Sequence, residues 1–235
     1  CVIMEPVSIE SPDDDFLQKV AELTRANGAL LIFDEVITGF RLSIGGAQEL
    51  YGVTPDLACF AKAMANGYPI SAVVGRGDVM NQFEKVFFSG TFGGEALSLA
   101  AAKATITKMQ REPVIETLWD RGRSLAKRLE DLIKKHQMET VLSLEGSAVW
   151  KLLSFQDQGI TRKELIRSVF IQEMLRQGIL VTASHNISYA HSEENLAAAL
   201  DAYNTVLPLV HQGLVDGTLE RQLEGPIIEP VFAVR

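Results

Sequence analysis

Ala29-Leu30-Leu31-Ile32-Phe33 is a continuous apolar run of strand length, and it is preceded by a stretch with a helical start signal. Ser11 reads as an N-cap, Pro12 suits the first helical position, and Asp13-Asp14-Asp15 complement the positive end of a helix dipole. That helix is predicted to run to Asn27-Gly28, where a glycine can take the left-handed conformation that ends it. Cys1-Val2-Ile3-Met4 is a second apolar, strand-like run. Strand, capped helix and strand over 1–33 form a βαβ unit, which predicts an α/β sheet with its strands in parallel.

The pattern continues with Pro55 to Ala61 and Ile70 to Val74, two short apolar segments around an Asn66-Gly67-Tyr68-Pro69 turn. The glycine-rich Ser89-Gly90-Thr91-Phe92-Gly93-Gly94 then leads into a small-residue helix from Glu95 to Met109, with exposed backbone N–H groups expected at the junction. Arg111-Glu112-Pro113 breaks that helix, and Val114 to Lys135 has helical periodicity with a basic solvated face. From about residue 137 the pattern shifts to short strands, such as Val149 to Leu153, alternating with helices. One helix is predicted to start at Thr161 with Glu164 completing a capping box, and another near Ser192. Two domains follow from this: an α/β domain over 1–111, and 112–235 as a connector helix and a small α+β domain.

Composition narrows the function. The 235 residues carry 30 acidic and 22 basic side chains, a net charge of -8, which leaves no basic face for nucleic acid. No apolar run reaches the roughly 20 residues that cross a bilayer, and no leader pattern opens the chain, so it reads as cytoplasmic. Cys1 and Cys59 lack metal-ligand spacing and read as reduced structural thiols. The abrupt apolar opening reads as the interior of a longer chain.

Asp34-Glu35 follows the Ala29 to Phe33 run directly, which puts a carboxylate at the carboxyl end of a parallel strand, where open α/β sheets bind ligands. An ordinary strand-end acid fits the same pattern. So does the metal-binding strand of a P-loop nucleotide-binding domain, although the chain holds no GxxxxGK[ST].

The longer stretch Asp34-Glu35-Val36-Ile37-Thr38-Gly39-Phe40-Arg41, read with Thr54-Pro55-Asp56-Leu57 and Phe60-Ala61-Lys62-Ala63-Met64-Ala65-Asn66-Gly67-Tyr68-Pro69, resembles the class III aminotransferases. Lys62 follows Asp34 by 28 residues, a spacing that suits the family. Gly45-Gly46-Ala47-Gln48-Glu49, Tyr51-Gly52-Val53 and Ala190-His191-Ser192-Glu193-Glu194 resemble the branch that contains glutamate-1-semialdehyde aminomutase. The resemblance covers nearly all of the chain. It implies an incomplete large domain of the aspartate-aminotransferase-like type I fold, followed by a small α+β domain.

It also implies pyridoxal 5'-phosphate (PLP) as cofactor, with Lys62 as the catalytic Schiff-base lysine and Asp34 holding the pyridine nitrogen. Val36, two residues beyond Asp34, is expected on the same side of an extended chain and against the ring face. Thr91 would reach the cofactor of a neighbouring subunit, which implies a homodimer. Arg41 and Glu10 are candidate substrate contacts, Arg41 through a carboxylate. Glu10 stands where the aminomutase pattern more often has Asn, and Ala65-Asn66 and Ile70-Ser71 replace its glycines and Gly-Ala pair. Amino transfer between a small-molecule donor and a carbonyl acceptor, and an intramolecular amino shift, both remain open. His185 and His191 read as loop and cap residues, and the segment alone is expected to be inactive.

Overall fold

The computed structural model describes residues 1–182 and 184–229; residue 183 and residues 230–235, the end of the expected second domain, lie outside the described residues. The chain divides into two compact units, Cys1–Leu118 and Trp119–Arg235, with the boundary inside a helix.

In the first unit, β1 (Val2–Met4) is followed by α1 (Phe16–Ala26), β2 (Leu31–Asp34), α2 (Ala47–Tyr51), β3 (Leu57–Phe60) and β4 (Ala72–Gly75). These strands form one sheet in sequence order. β1, β2 and β3 pair in parallel, and β4 returns antiparallel along β3. The βαβ unit read from the sequence is therefore present. Leu17 of α1 packs with Leu31, Phe33 and Val53, while Ala58, Phe60, Met64 and Ala65 pack with Ala102 of a later helix. The Asp56 carboxylate locks the opposite strand ends, accepting from Leu31 N (2.8 Å) and Arg76 Nη1 (2.7 Å). These bonds hold Asp56 below the usual carboxylate range, the Leu31 N–H contributing most.

Helix α1 begins four residues later than its sequence suggests. Asp15 is its N-cap, and Ser11-Pro12 precede a turn closed by Phe16 N to Asp13 O (3.0 Å). Gly28 does take the left-handed conformation, with φ 65°. After β4 come α3 (Gly77–Met80), a 3-10 turn at Asn81–Lys85, and α4 (Ala96–Arg111).

α5 (Val114–Lys135) leads into the second unit. There β5 (Leu142–Glu145), β6 (Trp150–Phe155) and β7 (Ser184–Asn186) form an antiparallel sheet, accompanied by α6 (Lys163–Arg176), α7 (Glu193–Val215) and α8 (Leu219–Gln222). Phe155, Phe170 and Tyr203 stack in series, with ring centroids 5.3 and 5.4 Å apart. Gly122 lets α5 lie against the backbone of Ala148, because an added Cβ would meet the Ala148 carbonyl. The capping box predicted at Thr161 and Glu164 does not form. Thr161 instead pairs with Gln158 as a bridge, Arg162 is the N-cap, and Lys163 N donates to Asp157 Oδ1 at 2.7 Å. No described helix is long and apolar enough to cross a membrane.

Candidate active site

The parallel pairing of β2 with β3 sets Asp34 opposite Cys59, so the carboxyl ends of both strands lie side by side. Asp34 ends the first strand and Lys62 stands two residues past the second. The Asp34 side chain is half-buried; its Oδ1 accepts from Val36 N at 3.0 Å, and no donor among the described residues reaches Oδ2. Cys59 sits beside it, and burial, with a smaller contribution from the Asp34 charge, pushes its thiol up.

Lys62 opens a short 3-10 turn, Lys62–Met64, and its side chain is exposed. Its φ is 40°, an uncommon conformation for a residue with a Cβ. Met64 and Ala65 beneath it are buried in the cluster with Phe60 and Ala102, so the backbone at Lys62 is fixed while its amine is free to react.

Glu35, read in the sequence with Asp34 as an ordinary strand-end acid or as half of a metal-binding pair, is the most constrained polar residue of this region. It is 0% exposed. Its carboxylate accepts from Ala47 N and Gln48 N, each at 2.8 Å, and from the Thr38 hydroxyl. A metal-binding Asp-Glu pair needs its acids open to an ion, so the nucleotide-binding reading of Asp34-Glu35 does not fit.

Val36 lies in a turn, not in extended chain, so the alternation argument that placed it on Asp34's side does not hold; what joins the two is the Val36 N–H bond to Asp34. Arg41 lies in the loop between Glu35 and α2, where burial lowers the pKa of its guanidinium. Phe40, with φ 59°, packs edge-on against Phe60 at 5.5 Å. Glu10 and Thr91 sit on separate exposed segments, Glu10 in a bend after β1 and Thr91 in the turn before α4. The N–H groups expected to be exposed there are partly taken, because Glu95 caps α4 by accepting from Leu97 N (2.8 Å) and Ser98 N (2.6 Å). The same segment exposes Phe87 (97%), Phe88 (75%) and Phe92 (70%).

In the second unit His185 is a half-buried residue of strand β7 rather than a loop residue. It shares a 2.6 Å hydrogen bond with the hydroxyl of Tyr203, which is 0% exposed. Burial, and next the nearby His191, lower its pKa to about 4. It lines a cavity of about 420 Å³ together with Leu125, Ile179, Val181, His191 and Leu196.

Solved structures share this architecture. The FumI protein of Sphingopyxis sp. MTA144, in its PLP internal aldimine form, is 27% identical with a TM-score of 0.82, over 91% of this chain and 52% of that one. A transaminase with PLP bound gives the same TM-score at 22% identity, over 92% and 53%. The fold is thus that of a PLP-dependent transferase of type I, incomplete in its large domain. The class III aminotransferase model matches residues 1–202, and the chain belongs to that family. Among its relatives, the glutamate-1-semialdehyde 2,1-aminomutase of Desulforudis audaxviator is 37% identical over 219 residues, 86% of this chain and 50% of that protein. The 3-aminobutyryl-CoA aminotransferase of Cloacimonas acidaminovorans is 32% identical over 209 residues, 88% of this chain and 50% of that protein. The chain spans about half the length of the relatives it matches.

Proposed function

We propose that the whole protein binds PLP at the carboxyl ends of β2 and β3 and moves an amino group from a small-molecule donor to a carbonyl acceptor. The observation that carries this reading is the parallel register Asp34 to Cys59, which sets a carboxylate and the turn bearing Lys62 at adjoining strand ends. An accessible amine and a carboxylate with one oxygen clear of donors among the described residues suit an aldehyde-bearing pyridinium.

Bound there, PLP supplies an electron sink for the pair released when a substrate C–H bond breaks. Asp34 keeps the ring nitrogen protonated, because a carboxylate beside it favours its charged form. Lys62 would anchor the cofactor covalently and, with its amine released, would move a proton at the carbon that bears nitrogen. Val36 borders the ring, and Arg41 and Glu10 face the substrate, Arg41 holding a carboxylate. The first unit is the later part of the cofactor-binding domain and the second the small domain. Thr91 reaches the cofactor of a second copy, and the exposed phenylalanines beside it are the apolar surface that this copy covers. The segment alone is inactive.

An intramolecular amino shift is the second reading, favoured by the 37% identity to an aminomutase. Both are tested by mixing the full-length PLP-loaded protein with a panel of amines, amino acids and vicinal amino aldehydes, whose neighbouring carbonyl can receive a shifted amino group, without other acceptor, and following products by mass spectrometry. Stoichiometric pyridoxamine phosphate and a released carbonyl compound support transfer. An isomerised amine with no released carbonyl supports the amino shift. If neither forms with any donor, amino-group chemistry is the wrong reading.

A further inference from the structure

We propose that Glu35 is a positioning residue, which holds Asp34 and the Arg41 loop in register for the cofactor; the proposal rests on the PLP site above. Glu35 immediately follows Asp34 and is completely buried, an environment in which a carboxylate is costly without full hydrogen bonding. Every polar group of the residue is engaged. Its N–H donates to Cys59 O (2.9 Å), its carbonyl accepts from Gly39 N (2.8 Å), and its carboxylate takes Ala47 N, Gln48 N and the Thr38 hydroxyl. One side chain thereby ties the end of β2 to the start of α2 across the loop that carries Arg41.

Two glycines make room for this arrangement. Gly46 has φ 83°, and a Cβ there would collide with the Glu35 carboxylate; a Cβ at Gly39 would collide with the Phe60 ring. Capping alone is a poor account of a buried acid, since α2 has only five residues. Glu49 already secures the same loop from the surface, accepting from Ser43 Oγ (2.6 Å) and Gly45 N (2.7 Å). What Glu35 adds is fixation of the chain between Asp34 and Val36. The Asp34 carboxylate is oriented by the Val36 N–H, and Glu35 is the residue between them.

The test uses the full-length protein with PLP, comparing wild type, Glu35→Gln, Thr38→Val and Thr38→Ser. The readouts are PLP affinity, the pH titration of the visible cofactor band, and the site of borohydride labelling. Glu35→Gln places an amide N–H₂ against backbone donors. It is expected to weaken PLP binding by about tenfold, the scale on which supporting-shell losses act, and to shift the band's titration, with the label still at Lys62. Thr38→Val should shift both in the same direction and Thr38→Ser should restore them. A merely structural Glu35 would lower the unfolding temperature but leave affinity and titration at wild-type values, and that result overturns the proposal. If Glu35→Gln does not fold, the Thr38 pair decides by the same criterion. Failure of wild type to take the label at Lys62 would instead bring down the PLP reading, and this proposal with it.

Discussion

His185 is an imidazole kept neutral by its surroundings. Burial disfavours its charged form, and it shares a hydrogen bond with the buried Tyr203 hydroxyl. The folded pKa, about 4, lies below the unfolded value of 6.5, so between them the unfolded chain binds more protons. Stability is therefore complete above pH 6.5 and falls as the pH drops towards 4, by about 3 kcal/mol in total. Thermal unfolding followed across that range should show the loss, and His185→Asn should flatten its slope. A slope unchanged by the substitution would mean that other groups control acid sensitivity. Two candidate site residues were legible at this scale. Asp34 is announced by the apolar run before it and Lys62 by the motif around it. The burial of Glu35 was not, because an acid next to a strand-end Asp reads as an ordinary strand-end carboxylate or as half of a metal-binding pair. The signals that could have found it are distributed: Thr38 three residues on, and Gly39 and Gly46 keeping space clear.

Helix α7 shows how local chemistry fixes an element. The Ser192 hydroxyl accepts from Asn195 N at 3.3 Å, and Asn195 Oδ1 accepts from Ser192 N at 3.0 Å, a reciprocal cap. Ser192→Ala should cost about 1 kcal/mol, measured by urea denaturation; a change below a few tenths would show that packing of Leu196, Leu200 and Tyr203 already determines the start. Gly46→Ala should cost more, roughly 1–3 kcal/mol, since it combines positive φ with a collision against Glu35. The order of strands and helices was readable because apolar runs and breakers alternate along the chain. Helix starts were less so. Ser11-Pro12 and Thr161 both carry cap chemistry. Yet the helices begin at Phe16 and Lys163, because the Asp13 turn and the Gln158 bridge engage the intervening backbone first. α2 has one helical turn, too short for periodicity to reveal.

At the scale of the whole molecule, the first unit presents aromatic surface that a chain by itself leaves in water. Phe87, Phe88 and Phe92 are exposed beside Thr91. In the full-length protein, Phe87→Ser with Phe88→Ser should move the mass seen by light scattering from dimer towards monomer, and PLP retention should fall with it. A variant that stays dimeric and keeps its cofactor would place the subunit contact elsewhere. Family and fold were legible because the paired Asp34 and Lys62 motifs are long. Substrate choice was not, since the candidate contacts Arg41 and Glu10 are single residues that no motif of their own supports.

The role of Lys62 is tested most directly by the absorbance spectrum of the full-length protein with PLP, wild type beside Lys62→Ala, followed by borohydride reduction and peptide mapping. A visible cofactor band in wild type alone, with the reduced label on Lys62, is the predicted result. A band that survives Lys62→Ala, or a label on another lysine, would contradict it.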